Sequence, residues 1–197
     1  MSYIRGRARA RRAAEVSNKE DDMESRAKAL GHPIHQMLIP FPFGLLATAV
    51  IFDIIYLLVG TPQTADTLST VAFWMIAAGI VGGLVAAPFG LIDYLAIPSG
   101  TRAKSVGLLH GVGNVFVLVL FAVSLWMRYG AAANAGAGFY RPTAAALAAS
   151  FVAFLIAGAT GWLGGELVDR LGVGVDDGAH LDAPSSLRTS DARSKVL

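Results

Sequence analysis

Gly31-His32-Pro33-Ile34-His35-Gln36 opens onto Met37-Leu-Ile-Pro40-Phe-Pro42-Phe-Gly44-Leu-Leu-Ala-Thr48-Ala-Val-Ile-Phe-Asp53-Ile-Ile-Tyr56-Leu-Leu-Val59. This apolar run carries a single charge, Asp53, and is long enough for a helix to cross the hydrocarbon core, which takes about 20 residues. Pro40 and Pro42 fall in the first turns, where a helix has N–H groups to spare. A membrane-spanning helix is therefore predicted over about residues 37–59, with a polar doorway bearing His32 and His35.

Three further runs follow, at about residues 68–97, 106–127 and 144–167. The second is longer than a bilayer needs, and Pro88 with Gly90 supplies a kink. Of the whole chain 54% is hydrophobic and 15% charged, against about 25% charged in a soluble domain, so the deficit is gathered into these four runs. The expected fold is all-α: an integral-membrane, antiparallel four-helix bundle with short loops. Its parts are a basic arm and short amphipathic surface helix (1–31), the four-span domain (32–171) and a disordered tail (172–197). Ser17 with Glu20 reads as the capping box of the surface helix, and Gly31 with Pro33 as its end. The first run lies behind a long charged segment without a small-residue cleavage site, so it is expected to be a permanent span and not a signal peptide.

Basic residues set the expected orientation. Eight precede the first span, Arg102 and Lys104 lie between the second and third, and four follow the fourth. Only Arg128 and Arg141 fall on the other side, which places both termini in the cytoplasm. Tyr56, Trp74, Trp126 and Tyr129 are expected at the outer interface, and Tyr94 and Trp162 near the inner one. The arginine-rich stretch between Arg5 and Arg12 can bind nucleic acid, but beside a span it reads as a contact for anionic lipid headgroups. A bilayer partner and no nucleic acid are expected. Small residues four apart, Gly79 with Gly83, Gly107 with Gly111 and Gly161 with Gly165, allow close helix approach.

This topology gathers His32, His35 and His110 with Asp93, Glu166 and Asp169 at the cytoplasmic end. Ionisable groups within a membrane are costly, so each is a functional candidate. His110 lies between Gly107 and Gly111, with Asn114 one turn deeper on the same face. One reading makes His110 an axial ligand of a b-type haem, with His35 or His32 opposite and Asn114 orienting or hydrogen-bonding what binds. Three histidines allow one bis-histidine haem. The plainer reading is an interhelical polar contact from His110 to Asp93 or Glu166. A divalent-metal site of His32, His35, His110 and Asp93 or Glu166 is a second alternative, its N/O donors suiting zinc or iron, although the Glu-x-x-His repeats of di-iron bundles are absent. Asp53, five helical turns beyond His35 on one face, is expected to pair with Arg128 or Arg141 near the outer end, with proton or quinone chemistry as the alternative. Zero cysteines exclude disulfides, thiolate metal sites and iron–sulfur ligation within this chain. No Walker loop, dinucleotide fingerprint or nucleophile elbow is present.

Gly31-His-Pro-Ile-His35 with Phe41-Pro42, Gly90-Leu-Ile-Asp-Tyr94, and Gly164-Gly-Glu-Leu-Val168 with Gly172-Val-Gly-Val together resemble a widespread bacterial family of four-span membrane domains of unknown function. The resemblance covers about residues 31–175 and implies the four-span fold. Some relatives carry a Rieske iron–sulfur domain after the fourth span, which implies electron transfer with the membrane domain as anchor or haem carrier. This chain departs at Asp169 and Leu171, where relatives often have Tyr and His, and lacks a second His-Pro in the segment around Gln36–Pro40. The leading expectation is thus a small redox protein of the bacterial inner membrane, not an enzyme on its own, exchanging electrons with a quinone or an iron–sulfur protein. The alternative is a non-catalytic accessory subunit packed against other membrane subunits. A metal or proton transporter is disfavoured, because four short spans with few buried charges give a thin pathway.

Overall fold

The computed structural model describes residues 24–58 and 61–187. The arginine-rich stretch, the start of the expected surface helix and the last ten residues lie outside them. Within the described residues β1 (Lys28–Ala29) and β2 (His32–Pro33) form a two-residue antiparallel pair. The helices are α1 (Ile34–Leu38), α2 (Pro40–Leu58), α3 (Pro62–Ala96), α4 (Arg102–Ala135) and α5 (Ala144–Gly165), the last continued by a π-helical turn over Glu166–Arg170.

Residues 28–33 turn back as a hairpin where the last turn of a surface helix was expected. Leu30 (φ 52°) and Gly31 (φ 86°) take left-handed backbone and reverse the chain. α1 and α2 make one nearly continuous rod: Ile39 stays helical, its N–H bonded to His35 O and its carbonyl to Phe43 N. The interruption comes from Pro40 and Pro42, which have no N–H to donate.

α3 and α4 extend beyond their apolar runs. At 35 and 34 residues each is about 50 Å long, well past a hydrocarbon core of about 30 Å. Capping explains the added turns. Thr101 and Thr143 accept hydrogen bonds from Lys104 N (3.1 Å) and Ala146 N (3.2 Å), starting α4 and α5, and Pro62 sits in the first turn of α3. Pro88 lies inside α3 and removes the bond to the Leu84 carbonyl.

The bundle is built from two hairpins. α2 packs along α3 and α4 along α5, while α3 meets α4 and α2 meets α5 over shorter stretches. Leu46, Ala49, Val50, Ile76, Val117, Phe121 and Ala153 form the buried centre. Outside it, long apolar side chains such as Leu84, Leu109, Val112 and Leu155 are exposed along the helices. Among the described residues four helices, α1 with α2 counted as one, are long and apolar enough to cross a membrane, and a bilayer is the solvent in which such a surface is stable. The segment leading into α1 and the segment following the π-helical turn lie at one end of this bundle, called the terminal end below; the connections from α2 to α3 and from α4 to α5 are at the far end.

Candidate functional site

One stripe of α4 organises the interior. His110, Asn114, Val117, Phe121, Ser124 and Arg128 follow each other four and three residues apart, the spacing that keeps side chains on one face. The stripe is polar at both ends and apolar in the middle, and it runs about 27 Å. Two polar clusters therefore sit in opposite halves of the bundle, separated by the Val117 and Phe121 layer.

The terminal-end cluster holds two imidazoles facing each other from different hairpins. His35 on α1 and His110 on α4 have ring centroids 6.5 Å apart and planes at 85°. His35 Nδ1 lies 3.0 Å from the Ala86 carbonyl of α3, and His110 Nδ1 lies 2.8 Å from the Thr160 carbonyl of α5. A carbonyl can only accept, so in both rings Nδ1 carries the proton and the neutral ring keeps its lone pair on Nε2. Glycines make room for both: a Cβ at Gly90 would stand 2.6 Å from His35 Cε1, and one at Gly164 would stand 3.2 Å from His110 Cε1.

His110 is further tied into a ring of three side chains. Asn114 Nδ2 donates to His110 Nε2 at 3.1 Å, and Thr160 Oγ1 donates to Asn114 Oδ1 at 2.9 Å. The tautomer forces the amide orientation, because Nε2 accepts and must face the NH₂ group. Thr160 is buried and its methyl packs where a Cβ on Gly113 would be.

The other residues singled out in the sequence have separate partners. Asp93 accepts from Ser25 Oγ (2.9 Å), Arg26 N (2.8 Å) and Ala27 N (3.3 Å), clasping the segment before β1 onto the end of α3. Glu166 pairs with Arg102 at 2.7 Å. His32 Nε2 is 3.3 Å from Ser186 Oγ. Among the described residues, no three His, Asp or Glu side chains gather closely enough to hold one metal ion. Asp169 is exposed. Of the six packing glycines, Gly79 lies against Leu46, Gly83 against Leu118 and Gly107 against Tyr94, while a Cβ at Gly111, Gly161 or Gly165 would meet nothing within 4 Å. Gly90, Gly113 and Gly164 make the close approaches around the imidazoles; Gly90 and Gly164 stand in the Gly-Leu-Ile-Asp-Tyr and Gly-Gly-Glu-Leu-Val motifs, which is the signal that could have found them.

The tail expected to be disordered from Gly172 instead takes a defined course as far as residue 187. Asp177 N donates to Glu24 Oε1 (3.2 Å), Lys28 pairs with Glu24 and with Asp176 (3.6 Å), and Gly174 packs on Gln36. The described segments 24–36 and 174–177 thus form a collar over the terminal end. Burial works against the charge on Lys28, but the Glu24 and Asp176 carboxylates outweigh it and raise its pKa above the ordinary lysine value.

At the far end, Arg128 Nη2 reaches Asp53 Oδ2 at 2.5 Å with neither side chain exposed. Arg128 Nε also donates to Ser124 Oγ (3.3 Å), whose hydroxyl meets Ser150 and the Ala146 carbonyl. Arg128 is therefore an interior residue, and of the two basic residues on that side only Arg141 lies at the surface, paired with Asp66. Tyr140 stacks on Phe73 at 3.8 Å beside Trp74, closing the same end.

A family described as a predicted membrane protein (DUF2231) matches residues 31–177, and the chain belongs to that family. The match begins at the Gly31 turn and ends within the collar. No curated protein and no solved structure matches the chain.

Proposed function

We propose that this DUF2231 protein is a small electron-transfer component of a bacterial cytoplasmic membrane, holding one b-type haem between His35 and His110, with both chain ends in the cytoplasm. The observation that carries the reading is the pair of imidazoles at 6.5 Å, one from each hairpin, each with Nδ1 on a backbone carbonyl. Two opposed nitrogens bonded at about 2 Å to one iron put their ring centroids about 6 Å apart. An Nδ1–H bonded to a carbonyl is the usual partner arrangement of a metal-ligating histidine, because it fixes the tautomer and raises the basicity of Nε2. Bound there, haem supplies one-electron transfer, with a quinone or an iron–sulfur protein as the partner class.

The residues of the chain do the rest. Ala86 O and Thr160 O orient the rings, Gly90 and Gly164 leave them space, and the apolar layer of Val117 and Phe121 keeps the site away from the far end. The test is a reduced-minus-oxidised visible spectrum of the detergent-purified protein, made with haem available. A sharp α-band of low-spin b haem that is lost in His110→Ala supports the reading; a flat spectrum overturns it.

A second reading, a non-catalytic accessory subunit packed against other membrane subunits, is favoured by one specific observation. The His110, Asn114 and Thr160 ring satisfies its own hydrogen bonds within the chain, as a purely structural interhelical contact would. A flat spectrum, with recovery of a stable complex from native membranes, would establish it.

A further inference from the structure

The His110 ring has a second arrangement available to it, and this bears on how the site would open. Nε2, the nitrogen needed by an iron, is engaged by Asn114 Nδ2. Asn114 is in turn held by the single hydroxyl proton of Thr160. That hydroxyl has two acceptors in reach, Asn114 Oδ1 at 2.9 Å and the Ala157 carbonyl at 3.1 Å. It can satisfy only one of them at a time.

We infer that Asn114 and Thr160 are a gate on His110: Asn114 occupies the lone pair of Nε2 until a ligand iron displaces it, and Thr160 releases Asn114 by turning its hydroxyl to Ala157. This rests on the haem reading of the same site. The exchange leaves no buried donor of Thr160 unpaired, since the hydroxyl proton passes from one acceptor to the other by rotation about the Cβ–Oγ1 bond, with Oγ1 and the methyl staying in place. His110 keeps its orientation throughout, because the Nδ1 bond to the Thr160 carbonyl involves the backbone and not the hydroxyl. Asn114, half-buried and one turn from His110, swings on its own side chain without disturbing a helix. The gate is confined to His110. Among the described residues His35 is hydrogen-bonded through Nδ1 alone and packs on Gly90, whereas Nε2 of His110 is engaged by Asn114. Asn114 and Thr160 are thus positioning residues: they act on the affinity of the site through His110.

The experiment is a titration of the haem-free, detergent-purified full chain with b-type haem, followed by absorbance, for wild type, Asn114→Leu, Thr160→Val, Thr160→Ser and His110→Ala. Freeing Nε2 from one competing hydrogen bond should tighten binding about threefold to tenfold in Asn114→Leu. Thr160→Val should move affinity in the same direction by less, and Thr160→Ser, which keeps the hydroxyl, should restore the wild-type value. Weaker or unchanged binding in Asn114→Leu, with wild-type binding intact and lost in His110→Ala, overturns the gate and leaves the haem reading standing. No binding in any variant overturns the haem reading, and the gate falls with it. The imidazole ¹⁵N resonances of His110 in the haem-free protein give an independent readout: Nε2 should shift in Asn114→Leu while Nδ1 stays, and an unmoved Nε2 overturns the gate whatever the titration shows.

Discussion

Asp53 and Arg128 meet at 2.5 Å across α2 and α4 with no solvent-exposed surface on either side chain. Their remaining atoms, Asp53 Oδ1 and Arg128 Nη1, have no hydrogen-bond partner among the described residues. A pair of this kind gains less from its Coulomb attraction than its proximity suggests, because both charges have given up their hydration. Removing one partner is a different matter, since it strands the other charge in an apolar interior. Arg128→Met or Asp53→Leu alone should therefore destabilise the bundle by about 3–5 kcal/mol, and the double variant Asp53→Leu/Arg128→Met should lie within about 1 kcal/mol of wild type or above it. Denaturant unfolding in detergent micelles measures all three. Additive losses in the double variant would show that the pair contributes through more than mutual neutralisation.

The two histidine rings impose a second requirement, on glycines. Gly90→Ala places a methyl 2.6 Å from His35 Cε1, and the neighbouring backbone of α3 leaves His35 as the group that must move. The variant should lose the His35 to Ala86 bond and cost about 1–3 kcal/mol, the usual penalty for overpacking. Gly164→Ala, at 3.2 Å from His110, should cost less, and Gly161→Ala or Gly165→Ala should leave the stability of the isolated chain unchanged or raise it by up to about 1 kcal/mol, because no described side chain lies within 4 Å and alanine is the better helix former. Thermal unfolding of the four variants side by side tests this order.

What the sequence made legible was what hydropathy and charge report. The four helices follow from the apolar runs, and the pairing of Asp53 with Arg128 was one of two expected from their shared depth. The partners of His110 were not legible. Asp93 and Glu166 were the natural carboxylates to expect, but Asp93 is taken by the N–H groups of residues 26 and 27 and Glu166 by Arg102. The group that holds His110 Nδ1 is the backbone carbonyl of Thr160, and a carbonyl leaves no mark in the residue pattern. Asn114, one turn along α4, was legible because its spacing fixes it on the His110 face. The collar escaped for a further reason: Gly172–Gly178 has the composition of a flexible tail, and its contacts with Glu24, Lys28 and Gln36 join residues more than 130 positions apart.

The collar gives a prediction with a defined pH dependence. Lys28 has a folded pKa above its ordinary value of 10.5, raised by Glu24 and Asp176 against the opposing effect of burial. A raised lysine pKa contributes stability that is fully present below 10.5 and is lost as pH rises through the folded value. Limited proteolysis of the 176–187 segment in wild type should therefore be insensitive to Lys28 between pH 6 and pH 9 and accelerate only in the alkaline range above about 10.5. Lys28→Met should be cleaved faster than wild type already at neutral pH. Equal cleavage of the two proteins at neutral pH would mean that the backbone contacts, Asp177 N to Glu24 among them, hold the collar without the ammonium.

Asp93 and His32 separate the collar from the histidine pair. Asp93 accepts three hydrogen bonds from Ser25, Arg26 and Ala27, and Ile34 N returns one to the Ala27 carbonyl at 2.8 Å, so the carboxylate fixes where the chain enters α1. Asp93→Ala removes every one of its acceptors and leaves the two backbone N–H groups to find water at the membrane edge. The segment 24–33 should then become the first site of proteolytic cleavage, while the Ala86 carbonyl still holds the His35 ring from within α3. His32 is exposed and meets Ser186 of the tail. His32→Ala should loosen the collar in the same proteolysis assay; under the haem proposal it should leave haem binding within about twofold of wild type, whereas His35→Ala should abolish the low-spin spectrum. Loss of the spectrum in His32→Ala with retention in His35→Ala would move the ligand from the first turn of α1 to the hairpin before it, and with it the depth of the site.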